Sequence, residues 1–226
     1  MEGTRMSNLH RHGYGTAAFQ AQTVPVVYID LARYSQISST LESDDRLGPI
    51  ATLLLKRQIR ELVRRAVEAI DCSFGEVFIE GTGDGAILLF RNAMQADRFG
   101  TVLHEISQLE HNQYAEEEVD FRYFRIGVFT GSVIRSGREA SGAAISFAAR
   151  METAALTGEI VMDERTWSAL PQDQRQHYDD EEVVRKKEHD PPTVAYRRKV
   201  IEPAPWDTAE FEARSWVGRY AEKKTG

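Results

Sequence analysis

The 226-residue chain contains a single cysteine, Cys72. One thiol excludes an internal disulfide and suits a reducing cytoplasm, where Cys72 reads as a small apolar residue for the interior rather than a reactive group. No apolar run approaches the roughly 18–20 residues that a membrane span requires. The opening stretch MEGTRMSNLHRHGYG lacks the apolar segment of a secretory signal, so residues 1–22 are expected to be a leader on a cytoplasmic protein. Positive charge is in deficit, with 28 Lys and Arg against 35 Asp and Glu and a net charge of −7. Such a body attracts neither a nucleic-acid backbone nor an anionic lipid surface, so no nucleic-acid or membrane partner is expected. An anionic ligand would need local help from metal ions, backbone N–H groups or a few placed cations.

What is present is ordinary globular protein, 42% hydrophobic and 28% charged, with no internal repeat. The length suits one domain, expected over 23–201, and a charged tail over 202–226. Trp206, Phe211, Trp216 and Tyr220 dot that tail, which leaves a docking helix open as one reading. Val24 to Ile29 is short, β-branched and continuously apolar, which predicts a buried strand ending at Asp30. Leu55, Ile59, Leu62, Val63, Ala66, Val67 and Ile70 recur at helical spacing after Pro49. Val77–Ile79 and Ala86–Phe90 flank a glycine-rich tip, Gly81-Thr82-Gly83-Asp84-Gly85, and predict a hairpin. A second helix is expected from Asn92 to Leu109, and a strand over FRYFRIGVF (121–129), broken at Thr130-Gly131, with Ser132 to Ile134 open as its continuation. A third helix over Ser141–Thr153 follows, then a strand over Glu159–Met162 and a helical turn capped by Asp163. Val183–Lys187 and Thr193–Arg197 predict a terminal hairpin. The order strand, helix, strand, strand, helix, strand predicts an α+β fold of ferredoxin-like type, an antiparallel sheet with helices on one face.

In that fold the first strand and the following hairpin lie side by side. Asp30 and Asp84 can then face one point, where two carboxylates repel unless a cation sits between them. Hard oxygen ligands suit Mg²⁺ or Mn²⁺, which retain waters and accept substrate phosphates. Each aspartate also fits ordinary turn chemistry when taken alone. The turn Leu31-Ala32-Arg33-Tyr34-Ser35 can offer N–H groups to phosphates if it curls into a helix start, and Arg33 reads either as added charge or as a solvated side chain. Ser146 and Arg150, four residues apart in AAISFAARM, share a helix face on which the arginine is either structural or a phosphate binder. Lys186 and Lys187 read either as a solvated charge run or as cations for a triphosphate.

Together these pieces resemble the class III adenylyl/guanylyl cyclase catalytic domain, from about Val24 to Val200. VVYIDLARYSQIS is similar to that family's first metal strand and phosphate turn, and EGTGDGAILLF to its second metal hairpin. RIGVFTGSV resembles the strand before its dimer-facing segment, and AISFAARMETAALTGEIVMDERTW its catalytic helix and exit. The resemblance implies two divalent ions, Mn²⁺ or Mg²⁺, on Asp30 and Asp84 with help from the Leu31 carbonyl. It implies a phosphate-holding backbone from Ala32 through Arg33 and Tyr34 to Ser35, and a triphosphate contact from Lys187 or Lys186. It further implies a homodimer acting on a nucleoside triphosphate, in which Arg150 from one protomer completes the site formed by the other's aspartates.

Some positions depart from the family's pattern. Ser146 stands where the family has a ribose-orienting asparagine, and loss of one aligned polar contact at a transition state can cost on the order of 10²-fold. Glu80 and Glu139 at the base-reading positions match neither the adenine nor the guanine code, and the loop from Ile134 to Gly142 is short, with no long dimerisation arm. A compact cyclase with a non-purine code resembles the bacterial pyrimidine cyclases of Pycsar antiphage systems. That resemblance implies UTP, or CTP, as substrate and a cyclic mononucleotide read by a separate effector. The alternatives are a purine cyclase, a degenerate nucleotide-binding module (which Ser146 favours), and a palm-type diguanylate cyclase or polymerase. The missing Gly-Gly-Asp/Glu-Glu-Phe run argues against the palm-type reading.

Overall fold

The computed structural model describes residues 20–35, 48–114, 123–179, 182–184 and 192–202. The apolar run at the start becomes β1 (Gln20–Leu31), longer at both ends than its Val-Ile core and beginning inside the expected leader. Helix α1 (Gly48–Ala69) carries the helically spaced apolar stripe. A short turn, α2 (Phe74–Val77), leads into the hairpin β2 (Phe78–Gly81) and β3 (Gly85–Leu89). Helix α3 (Ala93–Tyr114) follows, then β4 (Phe124–Ser136). The expected break at Thr130-Gly131 does not occur: the strand passes through, held by β1, with which Thr130 and Gly131 pair at Pro25 and Val24. β5 (Glu139–Ser141) turns back on β4 through Gly137-Arg138, so the short loop is a tight hairpin.

Helix α4 (Ala143–Ala154), β6 (Glu159–Asp163), α5 (Glu164–Ser168) and α6 (Gln172–Arg175) come next, and β7 (Glu182–Val184) with β8 (Thr193–Lys199) closes the chain. The Asp163 side chain accepts the Thr166 N–H at 3.3 Å, which is the helix cap expected there. Lys186, Lys187 and the tail beyond Glu202 lie outside the described residues.

The sheet runs β2-β3-β1-β4-β6-β8-β7, with β5 on β4. Its first four strands have the ferredoxin-like arrangement, each antiparallel to its neighbours. Beyond them β6 pairs parallel with β4, as a helical crossover through α4 dictates. Side chains alternate across the strands. Val27, Ile29 and Leu31 of β1 and Phe124, Ile126 and Val128 of β4 face the main core, where α1 and α3 lay Leu62, Val63, Phe99 and Leu103 on them. The long helices therefore share one face, as expected. α4 covers the other, where Ala144 and Ala148 meet Val26, Ile87, Leu89 and Val133. Burial on both sides is why β3 reads as an unbroken apolar run.

α4 lies hard against the sheet at Gly127. A Cβ there would stand 2.0 Å from the Glu152 amide nitrogen and 2.2 Å from the Ala148 carbonyl oxygen, so only glycine admits the helix. On the opposite face α3 is tied to β8 by buried polar groups. Tyr178 donates its hydroxyl to Asp97 at 2.6 Å, and Arg198 reaches the same carboxylate at 3.1 Å. Cys72 is half-buried against the main core rather than fully enclosed, and burial raises its thiol pKa, consistent with an inert role.

Candidate active site

Alternation along β1 puts Tyr28 and Asp30 on the α4 face, away from the main core. The hairpin brings Asp84 to them. Asp30 pairs in register with Gly85, and the Leu31 N–H donates to the Asp84 carbonyl at 2.8 Å. The approach is close because residue 85 is glycine: a Cβ there would sit 1.8 Å from the Ile29 carbonyl oxygen. Thr82, at the hairpin tip, donates to Asp84 Oδ1 at 3.2 Å and also hydrogen-bonds Tyr28. The two expected aspartates are therefore neighbours at one sheet end.

Two further charged side chains belong to this cluster, and the sequence reading did not single them out. Arg125 of β4 lies directly opposite Asp30 in the ladder. Its Nη2 donates to Asp30, and its Nε donates to Glu152 Oε1 on α4 at 2.8 Å. Arg125, Asp30 and Glu152 keep only 11, 18 and 8% of their side-chain surface exposed. The signal for Arg125 was a charge on the polar stripe of a strand whose other stripe is apolar. Glu152 carried only its place two residues beyond Arg150.

Burial, first of all, pushes the Asp30 carboxyl up to about 6; Arg125 pulls against this, while Glu152 and Asp84 add to it. Burial also raises the Tyr28 phenol, with Glu152, Asp84 and Asp30 contributing after it. Two carboxylates thus share one guanidinium, with Asp84 close enough to Asp30 to act on its charge, leaving local negative charge that a divalent cation would neutralise. Among the described residues no three acidic, His or Cys side chains converge to hold an ion by themselves. Mg²⁺ and Mn²⁺ commonly take one or two carboxylates and complete their shell with water and phosphate, so the set Asp30, Asp84 and nearby carbonyls fits such an ion.

The other expected residues fall into two groups. Leu31 and Ala32 are buried at the strand end, and Arg33 turns the chain with a φ of 61° into the helical residues Tyr34 and Ser35. The Ala32 N–H is committed to the Tyr123 carbonyl at 2.8 Å, so this amide drops out of the expected phosphate cradle. Glu80 on β2 and Glu139 on β5 are exposed, on strands that approach one another. Ser146 is exposed on α4, and the Arg150 guanidinium lies 4.6 Å from the centre of the Phe147 ring, which itself stacks on Phe129 at 4.7 Å. Arg150 is two residues from Glu152, about 200° around the helix. Glu152 faces Arg125, so Arg150 leaves α4 on the other side of the helix.

The fold is that of adenylyl and guanylyl cyclase catalytic domains. The chain is similar to the crystal structure of the guanylyl cyclase Cya2, with 19% identity and a TM-score of 0.66 over 83% of this chain and 98% of that one. It is also similar to an adenylate/guanylate cyclase/hydrolase from Silicibacter pomeroyi, with 22% identity and a TM-score of 0.62 over 80 and 98% of the two chains. The adenylyl cyclase CyaB from P. aeruginosa follows at 15% identity and a TM-score of 0.61, over 83 and 97%. No protein-family profile and no curated protein matches the chain. No helix among the described residues is long and apolar enough to cross a membrane.

Proposed function

We propose that this chain is a nucleotidyl cyclase that converts a pyrimidine nucleoside triphosphate, UTP in preference to CTP, to its 3′,5′-cyclic monophosphate and pyrophosphate. The observation that carries the reading is the meeting of Asp30 and Asp84, through the Asp30–Gly85 register and the Leu31–Asp84 hydrogen bond, on a cyclase-type fold. The neighbours in fold are named as adenylyl and guanylyl cyclases, and one is a rhodopsin-guanylyl cyclase of converted specificity in complex with ATPαS. In the proposed reaction the ribose 3′-oxygen bonds to the α-phosphorus, the bond to pyrophosphate breaks, and the hydroxyl proton is released to water. Divalent ions on Asp30 and Asp84, with the Leu31 carbonyl, would supply Lewis acidity to the hydroxyl and the phosphates. Arg33, Tyr34 and Ser35 hold the triphosphate at the turn, with Lys186 or Lys187 as a further cation.

Arg150 leaves α4 on the side away from Glu152, which supports its delivery by a second copy in a homodimer. There it offsets charge developing on the α-phosphate, stacked on Phe147 so that little reorganisation is needed. One of the fold neighbours is a non-canonical dimeric guanylyl cyclase domain and another is an adenylate cyclase in a monomeric state, so assembly is itself part of the test. Glu80 and Glu139 are the proposed base readers, with Ser146 at the ribose. The cyclic product would act as a second messenger for a separate effector in antiphage defence. Purine cyclisation is the competing reading, favoured by the purine substrates in the neighbours' names.

The experiment is incubation of the pure protein with ATP, GTP, CTP and UTP plus Mn²⁺, with products identified by mass spectrometry. A cyclic pyrimidine product that disappears in folded Asp30→Ala and Asp84→Ala variants is expected. A product from ATP or GTP alone overturns the pyrimidine assignment and keeps the cyclase. Undiminished turnover in both variants overturns the metal assignment.

A further inference from the structure

A guanidinium already stands where a cation is wanted. Arg125 spans Asp30 and Glu152, donating through Nη2 to one and through Nε, at 2.8 Å, to the other. A divalent ion that takes Asp30 Oδ2 competes with this guanidinium for the same oxygen. Expelling an arginine so little exposed into an apolar interior would be prohibitive. Glu152 changes that balance. It sits on α4, takes a different guanidinium nitrogen from the one Asp30 takes, and is itself nearly enclosed. Its position is fixed by the close seat of α4 on Gly127, whose missing Cβ lets the Glu152 backbone approach. Arg125 therefore keeps one charge-assisted hydrogen bond in a buried place after it leaves Asp30.

We infer that Glu152 is a positioning residue that retains Arg125 when a divalent cation takes Asp30, making the Asp30–Arg125–Glu152 bridge a latch that the cation opens. This rests on the reading of Asp30 and Asp84 as metal ligands. The latch offsets part of the cluster's negative charge without metal and gives metal binding a defined partner movement, the release of the Arg125 guanidinium from Asp30 with its bond to Glu152 kept.

The test uses Mn²⁺ alone as probe, with its affinity for the full chain measured by titration calorimetry and by the electron paramagnetic resonance of free Mn²⁺. Arg125→Gln removes the competitor and should bind Mn²⁺ about tenfold tighter. Glu152→Gln weakens the anchor that holds Arg125 away from Asp30 and should bind about tenfold more weakly. With Arg125→Gln already present, Glu152→Gln should change affinity by about twofold or less, because its effect acts through the arginine. Equal factors in the two backgrounds would mean simple loss of a negative charge and would overturn the latch.

A second measurement needs no substitution. In the unaltered protein, Mg²⁺ should speed exchange of the Arg125 Nη protons in arginine side-chain NMR while the Nε proton stays protected. Unchanged Nη exchange at saturating Mg²⁺ overturns the latch even where a variant fails to fold. Mn²⁺ binding that needs Asp30 and Asp84 but ignores Arg125 and Glu152 overturns the latch alone. Binding unaffected by Asp30→Asn and Asp84→Asn overturns the metal reading beneath it.

Discussion

Asp30→Asn should make the metal-free protein more stable at neutral pH, although it removes a residue of the candidate site. Burial, reinforced by Glu152 and Asp84 and opposed by Arg125, holds the Asp30 carboxyl at about 6 against a starting value of 3.8. A group whose folded pKa lies above its unfolded one binds its proton more tightly in the folded state. Its favourable contribution is complete below about pH 4 and is lost as pH rises through about 6. A shift of about two units corresponds to about 3 kcal/mol. The side chain retains 18% of its surface in water, and allowing for that screening leaves about 2 kcal/mol. Asparagine has the same shape and no charge to desolvate. The variant should therefore gain about 2 kcal/mol at pH 7.5, or roughly 4–8 °C in Tm for a domain of this size. The gain should fade toward zero at pH 4. Urea unfolding of both proteins at intervals from pH 4 to 8, without divalent ions, measures it. Added Mn²⁺ should stabilise the wild type above pH 6 by about 2.7 kcal/mol at a hundred times its Kd, and leave Asn at position 30 without that response. A variant less stable than wild type at pH 7.5, or a gain independent of pH, would refute the account of Asp30 as a desolvated carboxylate in an acid-rich cluster.

Two further substitutions probe the scaffold. Gly127→Ala drives a methyl into the α4 backbone at Glu152 and Ala148 and should lower stability by about 3 kcal/mol in urea titration; an unchanged midpoint would mean that α4 does not seat on β4 as described. His104 is fully buried, and burial drives its imidazole down to about 4, so the unfolded chain takes up a proton between pH 6.5 and 4 that the folded one refuses. Wild-type stability should therefore decline as pH falls through that window, and His104→Leu should flatten this part of the pH profile; an identical acid slope in the two proteins would discount the buried neutral histidine.

Much of this molecule is legible from side-chain periodicity. The apolar run before Asp30, the α1 stripe and the glycine-flanked hairpin each appear where local rules place them, because each depends on contacts a few residues away. The boundaries that moved did so for tertiary reasons. β4 runs through Thr130-Gly131 because β1 pairs with it along its whole length, which local turn propensity does not register. The expected phosphate turn lost its first amide, Ala32, to the carbonyl of Tyr123, a residue ninety-one positions away in the sequence.

The sequence by itself determined the element order, the apolar faces and the two aspartates at a strand end and a hairpin tip. All of these follow from short-range spacing and side-chain chemistry. Only the tertiary structure decided that α4 covers the sheet face opposite the long helices, and that Arg125 and Glu152 join Asp30 in one partly buried charge cluster. Arg125 lies ninety-five residues from Asp30, and Glu152 a further twenty-seven along the chain. Their meeting depends on strand register and on the bare Cα of Gly127 beneath the helix, and no local pattern encodes either.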